Sequence, residues 1–227
     1  MAQPATPSQG SAKGRAPHRR NEQARIAVLH AADDLLAERG FASVTIEGIA
    51  ARAGVAKQTI YRWWPSKVEI LLDTLIEDSQ HSLAIPGTGS AINDARRYLR
   101  NLAAFITTDP AGKVLLALIG EAQHDEKMAR TFHASYLDPR RREEHAMLAR
   151  GVASGELPAD LDVDWALDAL LGPVFYRALV TGGPISPAFT DQLVADVLGR
   201  ARLGLRFPGV LVGDDGRGEQ EQHRSGA

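Results

Sequence analysis

The segment TIEGIAARAGVAKQTIYRWWPSK, Thr45 to Lys67, decides the fold of this chain. Ile46, Ile49, Ala50 and Ala53 recur at i, i+3, i+4 and i+7, which is one apolar face of a helix. Thr45 stands just before that face, where its hydroxyl accepts a bond from a free backbone N–H. Gly54 ends the helix, because glycine enters the left-handed conformation at no steric cost, and Val55 packs back on the helix end. A second helix, about Lys57 to Trp64, follows so short a turn that it must cross the first steeply. This is the helix-turn-helix arrangement, whose second helix enters the DNA major groove. From Ala50 to Lys67 there are four basic residues (Arg52, Lys57, Arg62, Lys67) and no acidic ones, in a chain with 26 basic and 28 acidic residues. Positive charge is thus concentrated locally, as phosphate binding requires. Charge alone would suit any surface helix pair; joined to the cap, the turn glycine and the aromatic run, it points to nucleic acid.

These residues resemble the DNA-binding domain of the tetracycline-repressor (TetR/AcrR) family of bacterial transcription regulators. Gly40-Phe41, Thr45-Ile46, Ile49-Ala50, Ala53-Gly54-Val55, Thr59-Ile60-Tyr61 and Trp64-Pro65-Ser66-Lys67 carry the likeness, over roughly residues 21 to 70. Many members have Ser where this chain has Ala56; alanine cannot cap, at a cost of about 1 kcal/mol. The resemblance implies an all-α protein of about nine helices. A three-helix DNA-binding domain would occupy 19–67, with the helix-turn-helix at about 45–64. A ligand-binding and dimerisation domain would occupy 68–206. Residues 1–18 are read as a disordered basic arm and 207–227 as a disordered tail.

The expected DNA-binding set is Thr45, Lys57, Gln58, Thr59, Tyr61, Arg62, Trp63 and Lys67. Lys57, Gln58 and Thr59 lie on the first turn of the reading helix, where Gln pairs with adenine and Lys reaches guanine. Tyr61 matches the family's phosphate-contacting tyrosine, Arg62 and Trp63 reach sugar–phosphate, and Trp64 matches an aromatic core position. Ser66 and Glu69 form an S-x-x-E capping box. Lys67, at the helix start, adds its ammonium to free N–H groups that suit a phosphate.

Composition narrows the remainder. The 44% of hydrophobic residues suffices for a core, and the absence of cysteine excludes disulfides and thiolate metal sites. No run approaches the ~18 apolar residues of a membrane span, and no secretory signal precedes the first helix, so a cytoplasmic location is expected. Gly87-Thr88-Gly89 lacks the strand and spacing of a nucleotide loop. Glu121, His124 and Asp125 share a helix face, but at a helix end before a turn they read as ordinary polar residues rather than a metal site. No motif of catalysis is present, and no cofactor or metal is expected.

Helical periodicity assigns further segments: about Arg20 to Arg39 with Ile26, Leu29, Ala32 and Leu36 near one face, then Lys67 to about Leu83, Ser90 to Thr108, Pro110 to about His124, and Glu126 to Leu137. Asp138-Pro139 should break or kink the chain before a helix resumes to about Ala153, and Gly172-Pro173 should kink the next. The body from about Asp94 to Arg202 resembles one C-terminal subtype of the family, through Gly120-Glu121-Ala122, Arg140-Arg141, Arg150-Gly151-Val152, Gly155-Glu156-Leu157, Leu170-Leu171-Gly172-Pro173 and Tyr176-Arg177. The family dimerises through its last two long helices, here about 163–181 and 187–204, with Gly199 and Gly204 permitting close approach. Family effectors lie among the central helices, where Phe105, Phe132, Tyr136, Phe175, Tyr176 and Arg177 are the candidates. The implied protein is a homodimeric repressor on a palindromic operator, released by a small molecule. A regulator without a ligand, and an all-helical enzyme, are the alternatives.

Overall fold

The computed structural model describes residues 15–202, and every regular element among them is helical. The basic arm before Arg15 and the tail, with Gly204, lie outside the described residues. The head consists of α1 (Arg15–Arg39), α2 (Ile46–Ala53) and α3 (Lys57–Tyr61), and α4 (Lys67–Ser82) leads out of it. The body contains α5 (Ala91–Thr108), α6 (Pro110–Ala122), α7 (Glu126–Phe132), α8 (Asp138–Ala153), α9 (Val163–Tyr176), α10 (Pro187–Val194) and α11 (Arg200–Arg202). Wide π turns at His133–Leu137, Arg177–Thr181 and Ala195–Gly199 join or extend these pieces, so α7 and α8 form one rod and α10 and α11 another. Nine rods result among the described residues, as the sequence implied.

Local chemistry sets the helix ends. Thr45 Oγ1 accepts the Gly48 N–H at 3.0 Å, and Gly54 takes the left-handed conformation at φ 67°. Ser90, Asp109, Asp125, Asp162 and Ser186 each accept a backbone N–H in the first turn of the helix they precede. Asp125 is thereby a cap; among the described residues no three His, Asp or Glu gather closely enough to share a metal ion.

Several boundaries differ from expectation. α1 starts at Arg15, five residues early, and Ile26 is 37% exposed while Val28, Leu29, Ala32, Leu35 and Leu36 form its buried stripe. α3 stops at Tyr61, because Pro65 disfavours helix at Trp64; the N–H groups of Trp63 and Trp64 both return to Ile60 O. Asp138-Pro139 does not break its helix. The ring lacks an N–H, and the preceding turn widens instead of ending. α9 likewise continues through Pro173.

One hydrophobic cluster runs from Val28 in the head to Leu198 in the body. α1 packs on α2, α4 and α6; α5 packs on α6, α8 and α10. The turn from α5 into α6 is 86°. No single helix among the described residues is long and apolar enough to cross a membrane.

Candidate nucleic-acid interface

α2 and α3 hold the candidate residues on a small apolar platform. Ile49 and Ile60 are fully buried beneath them, and Trp64 is 3% exposed. The Trp64 indole N–H donates to Asp73 Oδ2 at 2.7 Å, which fixes the end of the reading segment to α4. Ser66 accepts the Val68 N–H at 3.2 Å and donates its hydroxyl to Glu69, so the predicted pair meets through its side chains.

Lys57, Gln58 and Tyr61 stand exposed on one short helix, with Thr59 half-buried between them. Tyr61 is 53% exposed, a large value for an aromatic ring with no packing role. Arg62 and Trp63 lie just past the helix end; the guanidinium sits 5.7 Å from the Trp63 ring and 3.5 Å from Asn21 Oδ1. Trp63 packs edge-on against Trp64 at 5.5 Å. The Thr45 hydroxyl, used as an acceptor by Gly48, keeps its own O–H as a donor.

The basic charge is less free than the window from Ala50 to Lys67 suggests. Lys57 Nζ pairs with Glu47 at 2.7 Å, and Arg52 makes a two-pronged pair with Glu38 at 2.6 and 2.7 Å. Both acids lie outside that window, and folding brings them in. The hydrogen bond from Lys57, with its charge, holds the Glu47 carboxyl below the ordinary range. Lys67 is engaged within the head as well. Its ammonium donates to Phe41 O at 2.9 Å, lies 4.3 Å from the Phe41 ring, and burial lowers its pKa. This ties the 3-10 turn Phe41–Ser43 to the start of α4, so Lys67 braces the head.

The six expected effector residues differ widely in exposure, with Phe175 half-buried against the core. Phe105, Phe132 and Tyr136 are buried core, the last two stacked at 5.6 Å. Tyr176 is 58% exposed, and Arg177 lies 3.5 Å over the Phe189 ring while donating to Pro184 O. Other residues enclose space. A cleft of about 420 Å³ opens between the end of α4 and α8, lined by Gln80, Ile85, Arg140, Glu143, Ala146 and Arg150. A cavity of about 210 Å³ lies where α1 meets α4, lined by Ile26, His30, Asp33, Thr74, Glu77 and Asp78. Burial, reinforced by Asp78, Asp34 and Asp109 and opposed by His30, pushes the Asp33 carboxyl up to about 6. Neither group was legible beforehand, since both form only where separate helices dock.

Comparison with known proteins agrees with this architecture. Residues 28–74 match the model "Bacterial regulatory proteins, tetR family", and residues 85–197 match "Tetracyclin repressor-like, C-terminal domain". The HTH-type transcriptional regulator YdeS of Bacillus subtilis (strain 168) is 39% identical over 175 residues, covering 77% of this chain and 88% of YdeS. The chain belongs to the TetR family of transcriptional regulators. The DNA-binding transcriptional repressor TetR of Mycobacteroides abscessus is 29% identical to this TetR-family protein over 79% of the chain and 94% of the relative. The solved TetR family regulator SCO0332 shares 36% identity with a TM-score of 0.68, covering 78% of this chain and 97% of that one. FadR of Bacillus subtilis, solved in complex with stearoyl-CoA, shares the fold at 19% identity and a TM-score of 0.63, over 76% of this chain and 97% of FadR.

Proposed function

We propose that this protein is a homodimeric repressor in which each subunit reads one half of a palindromic operator through Lys57, Gln58 and Thr59, with Thr45, Tyr61, Arg62 and Trp63 on the backbone. The observation that carries the reading is the exposed row Lys57, Gln58 and Tyr61 on a helix whose opposite side, Ile60, is fully buried. Half-sites lie about 34 Å apart or a multiple of that. Lys67 acts from behind, by holding Phe41. The apolar residues Tyr176, Leu179 and Val180, exposed at the end of α9, support a dimer face in the last two rods. A small molecule in the body favours a state whose heads no longer match the operator, and it acts only through its difference in affinity for the two states. The 420 Å³ cleft, within the ordinary size of ligand sites, favours this over a regulator without effector, and the stearoyl-CoA complex of FadR provides a precedent on the same fold.

The test is selection of a duplex from a random-sequence pool, followed by fluorescence anisotropy at several salt concentrations. Gln58→Ala should relax base preference by about 1–3 kcal/mol at one position per half-site. Tyr61→Phe should weaken all sequences alike. Binding that is equal on all duplexes and simply falls with salt refutes the proposal.

A further inference from the structure

The first turns of α2 and α3 meet at one charged pair that neither stability nor affinity explains. Glu47 is the second residue of α2 and Lys57 the first of α3, the reading helix. Lys57 Nζ donates to Glu47 Oε1 at 2.7 Å, and the two side chains are 52% and 58% exposed. A pair this open to solvent contributes little to folding. A carboxylate on a phosphate-facing surface also weakens binding to every duplex alike. The hydrogen bond from Lys57 holds the carboxyl below its ordinary range, so Glu47 meets DNA as an anion. That bond uses one of the three N–H groups of the ammonium and one carboxylate oxygen, and each partner keeps capacity for a further bond.

What the pair does match is a base pair. In the major groove G·C presents two acceptors, guanine N7 and O6, followed by one donor, cytosine N4. An ammonium and a carboxylate held side by side present donors followed by an acceptor. A·T offers a donor between two acceptors instead, with thymine O4 where the carboxylate needs a donor. We propose that Glu47 is a specificity-determining residue of this regulator: with Lys57 it reads one G·C pair in each half-site, and its carboxylate repels A·T at that position. The inference rests on the regulator reading and adds to it a residue of α2, outside the reading helix. Repulsion of the wrong base pair supplies the discrimination, so the same surface without Glu47 would bind DNA more tightly and less selectively.

Selection from a random-sequence duplex pool, run in parallel on the full chain and on Glu47→Gln, tests the assignment. It is followed by anisotropy titration at low salt on the selected duplex and on a version with the G·C pair in question changed to A·T. Glutamine keeps the shape, and its amide either accepts from cytosine N4 or turns and donates to thymine O4. Wild type should select G·C at one position per half-site where Glu47→Gln takes A·T as readily. The variant should bind the selected duplex about threefold more tightly and the A·T duplex about thirtyfold more tightly, a loss of discrimination of about tenfold confined to that position. Equal gains on both duplexes would make Glu47 a general repulsive charge and overturn the inference. So would a loss of preference at every position, or a wild-type motif without G·C at the position that Glu47→Gln alters. A wild type that selects no motif refutes the regulator reading itself; a motif that Glu47→Gln leaves intact refutes the inference alone.

Discussion

Replacing Gly112 by alanine sets two effects of opposite sign against each other. Gly112 sits in the first turn of α6, where helix propensity alone favours alanine by about 1 kcal/mol. A Cβ there would lie 2.0 Å from Phe105 O, 2.7 Å from Phe105 C and 2.8 Å from Ile106 Cα. These are backbone atoms of α5, so no side-chain rotation relieves the clash, and the two helices must separate. Overpacking of a tight core costs about 1–3 kcal/mol, and a backbone obstacle belongs at the upper end. The net expectation is destabilisation by about 2 kcal/mol. Gly120, in the same helix, has nothing within 4 Å of its built Cβ, so Gly120→Ala should gain the propensity term, about 0.5–1 kcal/mol. Urea unfolding followed by circular dichroism, at one protein concentration for all variants, measures both midpoints. A Gly112→Ala protein as stable as Gly120→Ala would refute the reasoning. Because α6 packs on α1 and α4, the destabilised variant should also bind operator more weakly.

Glu47→Gln should free Lys57 and raise operator affinity by about threefold at low salt, with the gain vanishing at high salt and folding unchanged. Weaker binding in anisotropy would instead mean that Glu47 aims Lys57 at its base. Asp33→Asn tests the joint between head and body. The folded carboxyl titrates at about 6 against 3.8 ordinarily, so its proton stabilises the fold below pH 4, and that contribution is lost as pH rises to 6. The complete linkage is about 3 kcal/mol; solvent around this half-buried group reduces it to about 1 kcal/mol. Urea midpoints should therefore show Asp33→Asn more stable than wild type at pH 7.5 and equal to it at pH 4, and a pH-independent difference would sink the account.

The head was legible because its signals are local. A threonine before an apolar stripe, a glycine after it and a serine three residues before a glutamate each act within one turn, and each is found in its place. Charge was only half legible. The Ala50–Lys67 window contains no acid, yet Glu38 and Glu47 reach its cations through the α1–α2 and α2–α3 contacts. The effector candidates meet a related limit. Aromatic residues at helical spacing mark a buried face equally well whether it meets a cavity or another helix, and Phe105, Phe132 and Tyr136 meet other helices. The cleft depends on Arg140 docking against Ser79 and Leu83, some 60 residues earlier in the chain. No local pattern records that encounter.

The wide turn at His133–Leu137 explains a spacing that an ideal helix cannot keep. Met128, Phe132, Tyr136, Glu144 and Leu148 are buried, with the mostly buried Arg140 between them, so every fourth residue faces inward. At 3.6 residues per turn, each four-residue step overshoots by about 40°, and the full series would wander by about 200°, onto the far side of the rod. A turn that closes over five residues winds more slowly and takes back part of that drift. A sustained four-residue beat in the sequence is therefore the written trace of a turn that opens, and in this protein it keeps the stacked pair Phe132 and Tyr136 in line with Arg140.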